Sequence, residues 1–498
     1  MGKYDILIIG SGLGGLVSGY ILSKHGYKIA VLEKNAQIGG CLQTFRRFGV
    51  KFDTGMHYIG SMEEGQILNR LFRYFDLLKD VKISRLDPDG YDVISIGDNT
   101  CRYASGYDNF IDSLAGSFPD NRHDIEEYVR GIRDIAEASP LYNMRKISTN
   151  TFIEPDYVKK SINEFIASKT SNAALANVLA GNQPLYAGIK DKTPIYIHAL
   201  INNFYIQSAW RIVGGSDCIA ASLAASIRAA GGEVMTKCKV EKIKCNESRA
   251  VGVTLEDGTF IESDSIISNV HPHAMLSMLE ETNMIRKAYR ERINSLENTI
   301  GNFTVYMKFK EDVVPYLNFN YYRYDKPDVW ASMNYDPKDY PENYLYMHQC
   351  HKDNPAFAQS AEMIGYMHYS EVARWEKTHI GHRGDSYAEF KEFKAGQMIS
   401  KLEESFPGIS GAIESYETST PLTYRDYTGT FQGSMYGVVR DKNFPIQTLV
   451  SQRTKIPNLF MTGQNINSHG ILGVSIGSAI TCAEFLGLNT IISEIDKA

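Results

Sequence analysis

Tryptophan and cysteine are scarce in this chain of 498 residues, with 3 and 7 copies, and what is missing narrows the reading early. Cys41, Cys101, Cys218, Cys238, Cys245, Cys350 and Cys482 are scattered, odd in number and never arranged as C-x-x-C. That pattern argues against a disulfide framework or a thiol redox motif and for reduced thiols in a cytoplasmic compartment. No run of eighteen apolar residues is present, so a membrane-spanning helix is excluded, while attachment to a membrane surface stays open. Met1-Gly2-Lys3 leads straight into a strand pattern without the features of a secretory signal, so the expected location is cytoplasmic, at most peripheral on the cytoplasmic face of a membrane. There is no cluster of Lys and Arg to offset a net charge of -6, and nucleic acid is not an expected partner. His271-Pro272-His273 and the pair His379 and His382 lack a neighbouring carboxylate or thiolate; they read as exposed turn histidines, and no metal is expected. Internal repeats and low-complexity tracts are also missing.

What is there is globular: 43% hydrophobic and 22% charged residues, in a chain long enough for two or three domains. Tyr4-Asp5-Ile6-Leu7-Ile8-Ile9 has the continuous apolar character of a parallel strand covered on both faces. Leu13, Leu16, Val17, Tyr20 and Ile21 recur at helical spacing up to Gly26, and Ile29-Ala30-Val31-Leu32 reads as a second strand ending at Glu33. From about Asn109 to Ala209 the pattern is mostly helical, punctuated by prolines. From Gly232 it changes to strands at Val234, Val240 to Ile243, Val251 to Leu255 and Phe260 to Ile267, which together predict an antiparallel meander. A Tyr- and Phe-rich segment, Tyr321 to Tyr369, suggests an aromatic-lined second domain. Asn458 to Thr462 then predicts a short strand leading through a glycine-rich turn into a helix from Gly473 to Leu486. The N-terminal unit is thus completed by the C-terminus.

Gly10-Ser11-Gly12-Leu13-Gly14-Gly15 satisfies G-x-G-x-x-G between a strand and a helix, the setting a dinucleotide fingerprint requires. Gly10 permits the tight turn, Gly12 lets backbone approach a pyrophosphate, and Gly15 lets helix and strand pack closely. Glu33, about 20 residues on at the end of the second strand, suits ribose hydroxyls. The following Lys34, and then the pair Gly39-Gly40, lie at a distance used by flavoproteins, where glycine admits the chain close to a cofactor.

Four further segments carry a resemblance that runs in order along the chain: Phe52-Asp53-Thr54-Gly55-Met56-His57-Tyr58-Ile59-Gly60, Gly214-Gly215-Ser216, Thr420-Pro421-Leu422-Thr423, and Thr462 through Gly473. In them the chain resembles the flavoprotein family of phytoene desaturases, carotenoid isomerases and retinol saturase. The resemblance implies an α/β fold in which a Rossmann-like FAD-binding domain (1–105, 214–275 and 437–498) is interleaved with a mixed α+β substrate domain (106–213 and 276–436). It places Val240 at the adenine, Thr54, Gly55, Met56 and His57 against the flavin, and Gly463 and Gln464 at the ribityl chain and phosphates. Gly470, Ile471, Leu472 and Gly473 would form a flavin-facing helix start whose dipole favours an anionic reduced flavin. His57 and Tyr58 are the candidate proton donors, although a buried structural histidine is an equal reading. His198, Tyr427 and Tyr436 are candidates for the substrate pocket, and His469 also matches a family position.

The implied activity is FAD-dependent reduction of a carbon–carbon double bond in a long apolar polyene, retinoid- or carotenoid-like, by hydride transfer through flavin N5. Desaturation, reduced-flavin cis–trans isomerisation of a carotenoid, and a flavin-free prenyl-lipid escort are the alternatives. Only one dinucleotide fingerprint is present, so NAD(P)H would use the flavin cleft transiently or act through a partner reductase.

Overall fold

The structure is a computed structural model and describes residues 2–145 and 155–498. Strand β1 (Tyr4–Ile9), helix α1 (Leu13–Lys24) and strand β2 (Ile29–Leu32) form the expected opening unit, with β1 and β2 parallel. Leu7, Ile8, Ile29, Ala30 and Val31 are completely buried, because helices or strands cover both faces of the sheet. The sheet runs in the order Glu233–Met235, β2, β1, Phe260–Ser268, Ala250–Leu255, Val240–Cys245, and Leu459–Met461 joins Phe260–Ser268 in parallel. The expected meander is therefore only half antiparallel. Val234 lies in an edge strand parallel to β2, and the nine-residue strand Phe260–Ser268 changes partners along its length. Its start pairs antiparallel with Ala250–Leu255, while its later part runs parallel to β1, with Ser263 opposite Tyr4 and Ser268 opposite Ile9. The uninterrupted Ile266-Ile267 is the reason: two successive apolar residues need cover on both faces, which the parallel sheet provides.

The second unit is built on another seven-stranded sheet, ordered Ile413–Ser419, Gly301–Phe309, Ser360–Met367, Asn343–His348, Asn320–Tyr324, Asp92–Ile96, Asn99–Tyr103. Alternation sorts its side chains. Phe303, Val305, Met307, Tyr344, Tyr346 and Met363 pack beneath the long helix Asp385–Ser405 through Ala395, Met398 and Leu402. The other face turns Asn302, Tyr306, Asn343, Leu345, Glu362, Ile364 and Tyr366 towards the first unit, where Tyr306 meets Phe45 and Phe52 edge-on at 4.8 and 5.6 Å. Helices between Tyr107 and Gln207 pack on the end of this sheet around Tyr103, Tyr128, Tyr322 and Tyr324.

Two of the expected domain limits differ from this division. Asp92–Tyr103 belongs to the second sheet although it precedes 105, because Asn320–Tyr324 pairs with Asp92–Ile96. Past 275, Leu276, Ile285 and Ile293 still pack with Leu7, Ile9 and Ile266 of the first unit. Among the described residues no helix is long and apolar enough to cross a membrane.

Candidate flavin and substrate site

Backbone, rather than side chain, builds the nucleotide end of the site. Gly12 sits at the N-cap of α1 with no side-chain cap, so the first amides of the helix are left for an anionic ligand. Three segments meet there. Gly39 bridges Gly12, a Cβ at Gly40 would lie 3.0 Å from Gly12 Cα, and one at Gly14 would lie 3.0 Å from Gly463 Cα. A Cβ at Gly15 would collide with the carbonyl of Gly10, whereas at Gly12 it would meet only the Asn269 amide at 3.0 Å. Thus Gly15 serves the fold and Gly12 keeps space open. The Glu33 carboxylate, buried at the end of β2, accepts from the Ser11 N–H and hydroxyl at 3.0 and 2.6 Å and from the Asn35 N–H at 2.9 Å. Val240 begins its strand with its side chain in the core, and just before it the Cys238 N–H donates to the Glu33 carbonyl at 2.8 Å. At the far end of the chain, the helix Gly470–Leu486 also starts without a side-chain cap.

The segment Phe52 to Gly60 is anchored by its carboxylate. Asp53 accepts from the N–H and hydroxyl of Ser216 at 2.8 and 2.6 Å, tying it to the start of helix Asp217–Ala229; two of the segments that carry the resemblance are thus one structural device. Thr54 donates to the Gln43 carbonyl at 2.8 Å, and Gly55 lets the chain pass Cys41 and Tyr424, whose thiol and hydroxyl lie 3.0 Å apart.

The next two residues then diverge. His57 Nδ1 lies 2.6 Å from Glu362 Oε2, an ion-pair distance at which neither atom completes a well-aligned hydrogen bond. Burial alone would lower the proton affinity of His57; the carboxylates of Glu362 and, secondarily, Asp53 together more than offset that, and the net shift is upward. Glu362 also accepts from the Gln349 amide, and Asp53 and the buried Arg211 border the same small void of about 10 Å³. Tyr58, in contrast, donates to Asp92 at 3.0 Å and lies 2.7 Å from the Tyr322 hydroxyl. Burial raises the Asp92 carboxyl to about 7.

Leu13, Gly55, Met56, His57, Gln464 and Ile471 wall one side of a cavity of about 170 Å³, and the second sheet walls the other through Asn302, Asn343, Leu345, Ile364 and Tyr366. A larger, mainly apolar cavity of about 460 Å³ adjoins it and shares Leu185, Tyr205, Gly470 and Ile471. Leu200, Phe204, Val450, Leu472, Ile476 and Ile480 line this outer chamber.

The sequence profile of flavin-containing amine oxidoreductases matches residues 13–356, more than half of the chain. The chain belongs to that family. The human all-trans-retinol 13,14-reductase is 26% identical over 98% of this chain and 86% of its own length. Prolycopene isomerase 1 of an Oncidium hybrid cultivar is 24% identical over 97% of this chain and 83% of its own. An oxidoreductase from Methanosarcina mazei shares the fold, with a TM-score of 0.64 at 17% identity, over 95% of this chain and 98% of the other. Family membership makes the protein an FAD-dependent oxidoreductase with the amine-oxidase type of FAD-binding fold, and the glycine cradle and two uncapped helix starts fit that cofactor.

Several candidate residues fall elsewhere than expected. Lys34 is on the surface, where its ammonium donates to the Asp426 carbonyl at 3.0 Å and clasps the helix Pro421–Thr428 rather than facing the cofactor cradle. Tyr427 is 46% exposed at the end of that helix and lines neither of these cavities; its neighbour Tyr424, one turn earlier, lines the inner cavity instead. His198 is fully buried and lines neither cavity. Both of its ring nitrogens are engaged, by Tyr128 at 2.7 Å and Tyr186 at 2.8 Å, and burial lowers it to about 3. Tyr436 does line the inner cavity and packs against His469, the rings tilted by 40° with centroids 4.5 Å apart. His271 is buried at a helix N-cap, where it accepts from the His273 N–H at 3.2 Å, instead of standing exposed in a turn. Glu362, Asn302, Asn343 and Asn269 carry no local sequence signal. Alternation within the strands marks the first three as facing one side of a sheet, without saying which side holds the site.

Proposed function

We propose that this flavoprotein reduces a carbon–carbon double bond of a long apolar polyene. The observation that carries the reading is the pair of joined cavities: the outer, apolar one suits a long hydrocarbon chain, and the inner one ends among the segments that converge on the flavin cradle. The amides at the start of α1, with Gly12 and Gly14, would hold the pyrophosphate. Glu33 would take the ribose, the backbone at Val240 the adenine, and Gly463, Gln464 and the helix start at Gly470 the ribityl chain and flavin ring. FAD, when bound and reduced, would supply the hydride. His57 supplies the proton: its Nδ1 is held at Glu362, its Nε2 has no protein partner among the described residues, and the ring lines the inner cavity. Tyr58 stays a wall residue, since its hydroxyl is committed to Asp92.

The test is anaerobic incubation of chemically reduced enzyme with a panel of polyenes, read by mass spectrometry. A gain of two hydrogens with reoxidation of the flavin is expected. Isomerisation, the reading favoured by the similarity to prolycopene isomerase, leaves the mass unchanged. NAD(P)H or a partner reductase would recharge the flavin. Peripheral attachment of a cytoplasmic protein to a membrane is supported by Phe444, Ile446 and Leu449, exposed by 56, 83 and 53% around a short helix whose end, Leu449, borders the outer cavity. Flotation with liposomes, lost on replacing these three residues by Ser, tests that contact.

A further inference from the structure

A buried cation stands behind the turn that fits the flavin ring. Arg440 is 9% exposed, and its guanidinium donates to three backbone carbonyls, those of Asn465 at 2.8 Å, Ile466 at 2.7 Å, and Thr448. Among the described residues it forms no ion pair: burial lowers its pKa, and the one group that opposes this is Tyr196. Two of the three carbonyls belong to the turn from Gly463 to Gly470. That turn is locked to the Arg440 segment a second time, since the Asn465 side chain accepts from the Val438 N–H at 3.0 Å and a Cβ at Gly437 would overlap it. Holding carbonyls needs only a neutral donor, and a guanidinium costs far more to bury without a carboxylate. The charge itself therefore calls for a use.

Its field reaches the flavin side. Arg440, Gln464, Asn467 and His469 line a small cavity of about 30 Å³ that has no acid in its wall among the described residues, and Gln464 and Tyr436 border the inner cavity as well. His469 is the N-cap of the helix Gly470–Leu486. Burial lowers it to about 4, with the Arg440 charge adding to the effect, so His469 is neutral and Arg440 is the cation at this end of the site. Beside His57, by contrast, charge is balanced: His57 and Arg211 are set against Glu362 and Asp53 around one void.

An oxidised flavin ring is neutral. Two electrons and two protons give the neutral reduced ring, whereas two electrons and one proton leave a negative charge at N1. A fixed cation nearby favours the second outcome and, with it, reduction. We propose that Arg440 sets the redox poise of the flavin: its unpaired charge, added to the dipole of the helix that starts at Gly470, holds the reduced cofactor in the anionic form and raises its reduction potential. This rests on the placement of the flavin ring at that helix start and not on the identity of the substrate.

Potentiometry on the FAD-loaded protein tests it without substrate. Dithionite titration against a reference dye should give Arg440→Gln a midpoint potential about 30 mV or more below that of the wild type, a tenfold or greater loss in the ratio of reduced to oxidised flavin for a two-electron couple. Arg440→Lys keeps the charge without the fork of donors and should recover most of that shift. At neutral pH its reduced flavin should show the absorbance of the anion, and that of Arg440→Gln the absorbance of the neutral form. Equal potentials in the wild type and Arg440→Gln overturn the proposal. So does an Arg440→Lys that behaves like Arg440→Gln, for the arginine would then act only as a clasp on the turn. If neither variant holds FAD, the wild type decides: reduced flavin that takes up its second proton only at lower pH than free reduced FAD supports the proposal, and uptake at the same pH overturns it. An Ile471→Trp variant that keeps FAD with an unshifted absorbance band overturns it on a different ground, by placing the ring away from the helix start.

Discussion

The cofactor side and the substrate side of the site are made in opposite ways. The nucleotide cradle of the first unit is a backbone wall: Gly12, Gly14, Gly40 and Gly463 approach one another so closely that a Cβ would crowd its neighbour, and two helix starts are left uncapped. The wall that the second unit gives the inner cavity is side chain, with Ile364 and Tyr366 from one strand, Asn302 from a second and Asn343 and Leu345 from a third, and Glu362 on the first of these strands backs His57. A cofactor that is the same throughout a family can be met by fixed amides and dipoles. A substrate that differs among relatives must be met by groups that exchange without refolding the scaffold. In this chain the glycines accordingly gather on the cofactor side and the exchangeable side chains on the other.

The largest expected effects separate fold from binding on the backbone wall. Gly15→Ala should give insoluble or grossly destabilised protein, because its Cβ meets the Gly10 carbonyl with no room to move. Gly12→Val should fold yet purify colourless, since at this position the side chain presses on the Asn269 amide and into the space for the pyrophosphate. A Gly12→Val protein with its full complement of FAD would show that this cradle does not hold the cofactor. Next in size is the pair of His57 and Glu362, where the two units meet. His57→Phe should retain reducible flavin while slowing its reoxidation by a polyene by about 10²-fold. An unchanged single-turnover rate would return His57 to a structural role.

Glu362→Gln is expected to act more weakly and in a way packing alone would not. The carboxylate raises the proton affinity of His57. An acid works only while protonated, so the reoxidation rate of the wild type should fall as pH rises through the raised pKa. In the variant that fall should occur at lower pH, with the rate at low pH within roughly tenfold of wild type. A pH profile that keeps its position would mean that Glu362 only fills space.

Legibility in the sequence follows the same divide. The fingerprint at Gly10 to Gly15 and the Gly39-Gly40 pair were readable as one backbone unit because close approach needs glycine, and Glu33 as the end of a strand; the structure brings the three together. The segment Phe52 to Gly60 was readable through resemblance, and the tie between Asp53 and Ser216 gives the physical reason for two of its motifs. Glu362, Asn302 and Asn343 were not readable, because strand order, which no local pattern encodes, decides which face of the sheet meets the flavin side. Tyr427 and His198 were misplaced for a related cause. One turn of helix separates the exposed Tyr427 from Tyr424 in the cavity, and a buried histidine reads the same whether a ligand or two tyrosines surround it.

The smallest effect on the reaction should come from Asp92→Asn, although Asp92 lies just behind the cavity wall. Asp92 accepts from Tyr58 at 3.0 Å and from the Asn320 amide at 2.7 Å, and an asparagine can keep both contacts if the Tyr58 hydroxyl turns to donate to Tyr322. Reoxidation kinetics should therefore match wild type. Stability should not. Burial raises the Asp92 carboxyl from 3.8 to about 7, so between these values the folded state carries a proton that the unfolded state has lost. The contribution of that proton is fully present below about pH 4 and disappears as pH rises through 7, which makes the wild type less stable with rising pH by up to a few kcal/mol. Asparagine cannot ionise, so the variant should gain on the wild type as pH rises from 4 to 8. Urea denaturation at the two ends of that range measures the difference. If the gap between variant and wild type is the same at both, Asp92 is already ionised in the fold, and the side-chain wall holds a second buried charge beside the pair formed by His57 and Glu362.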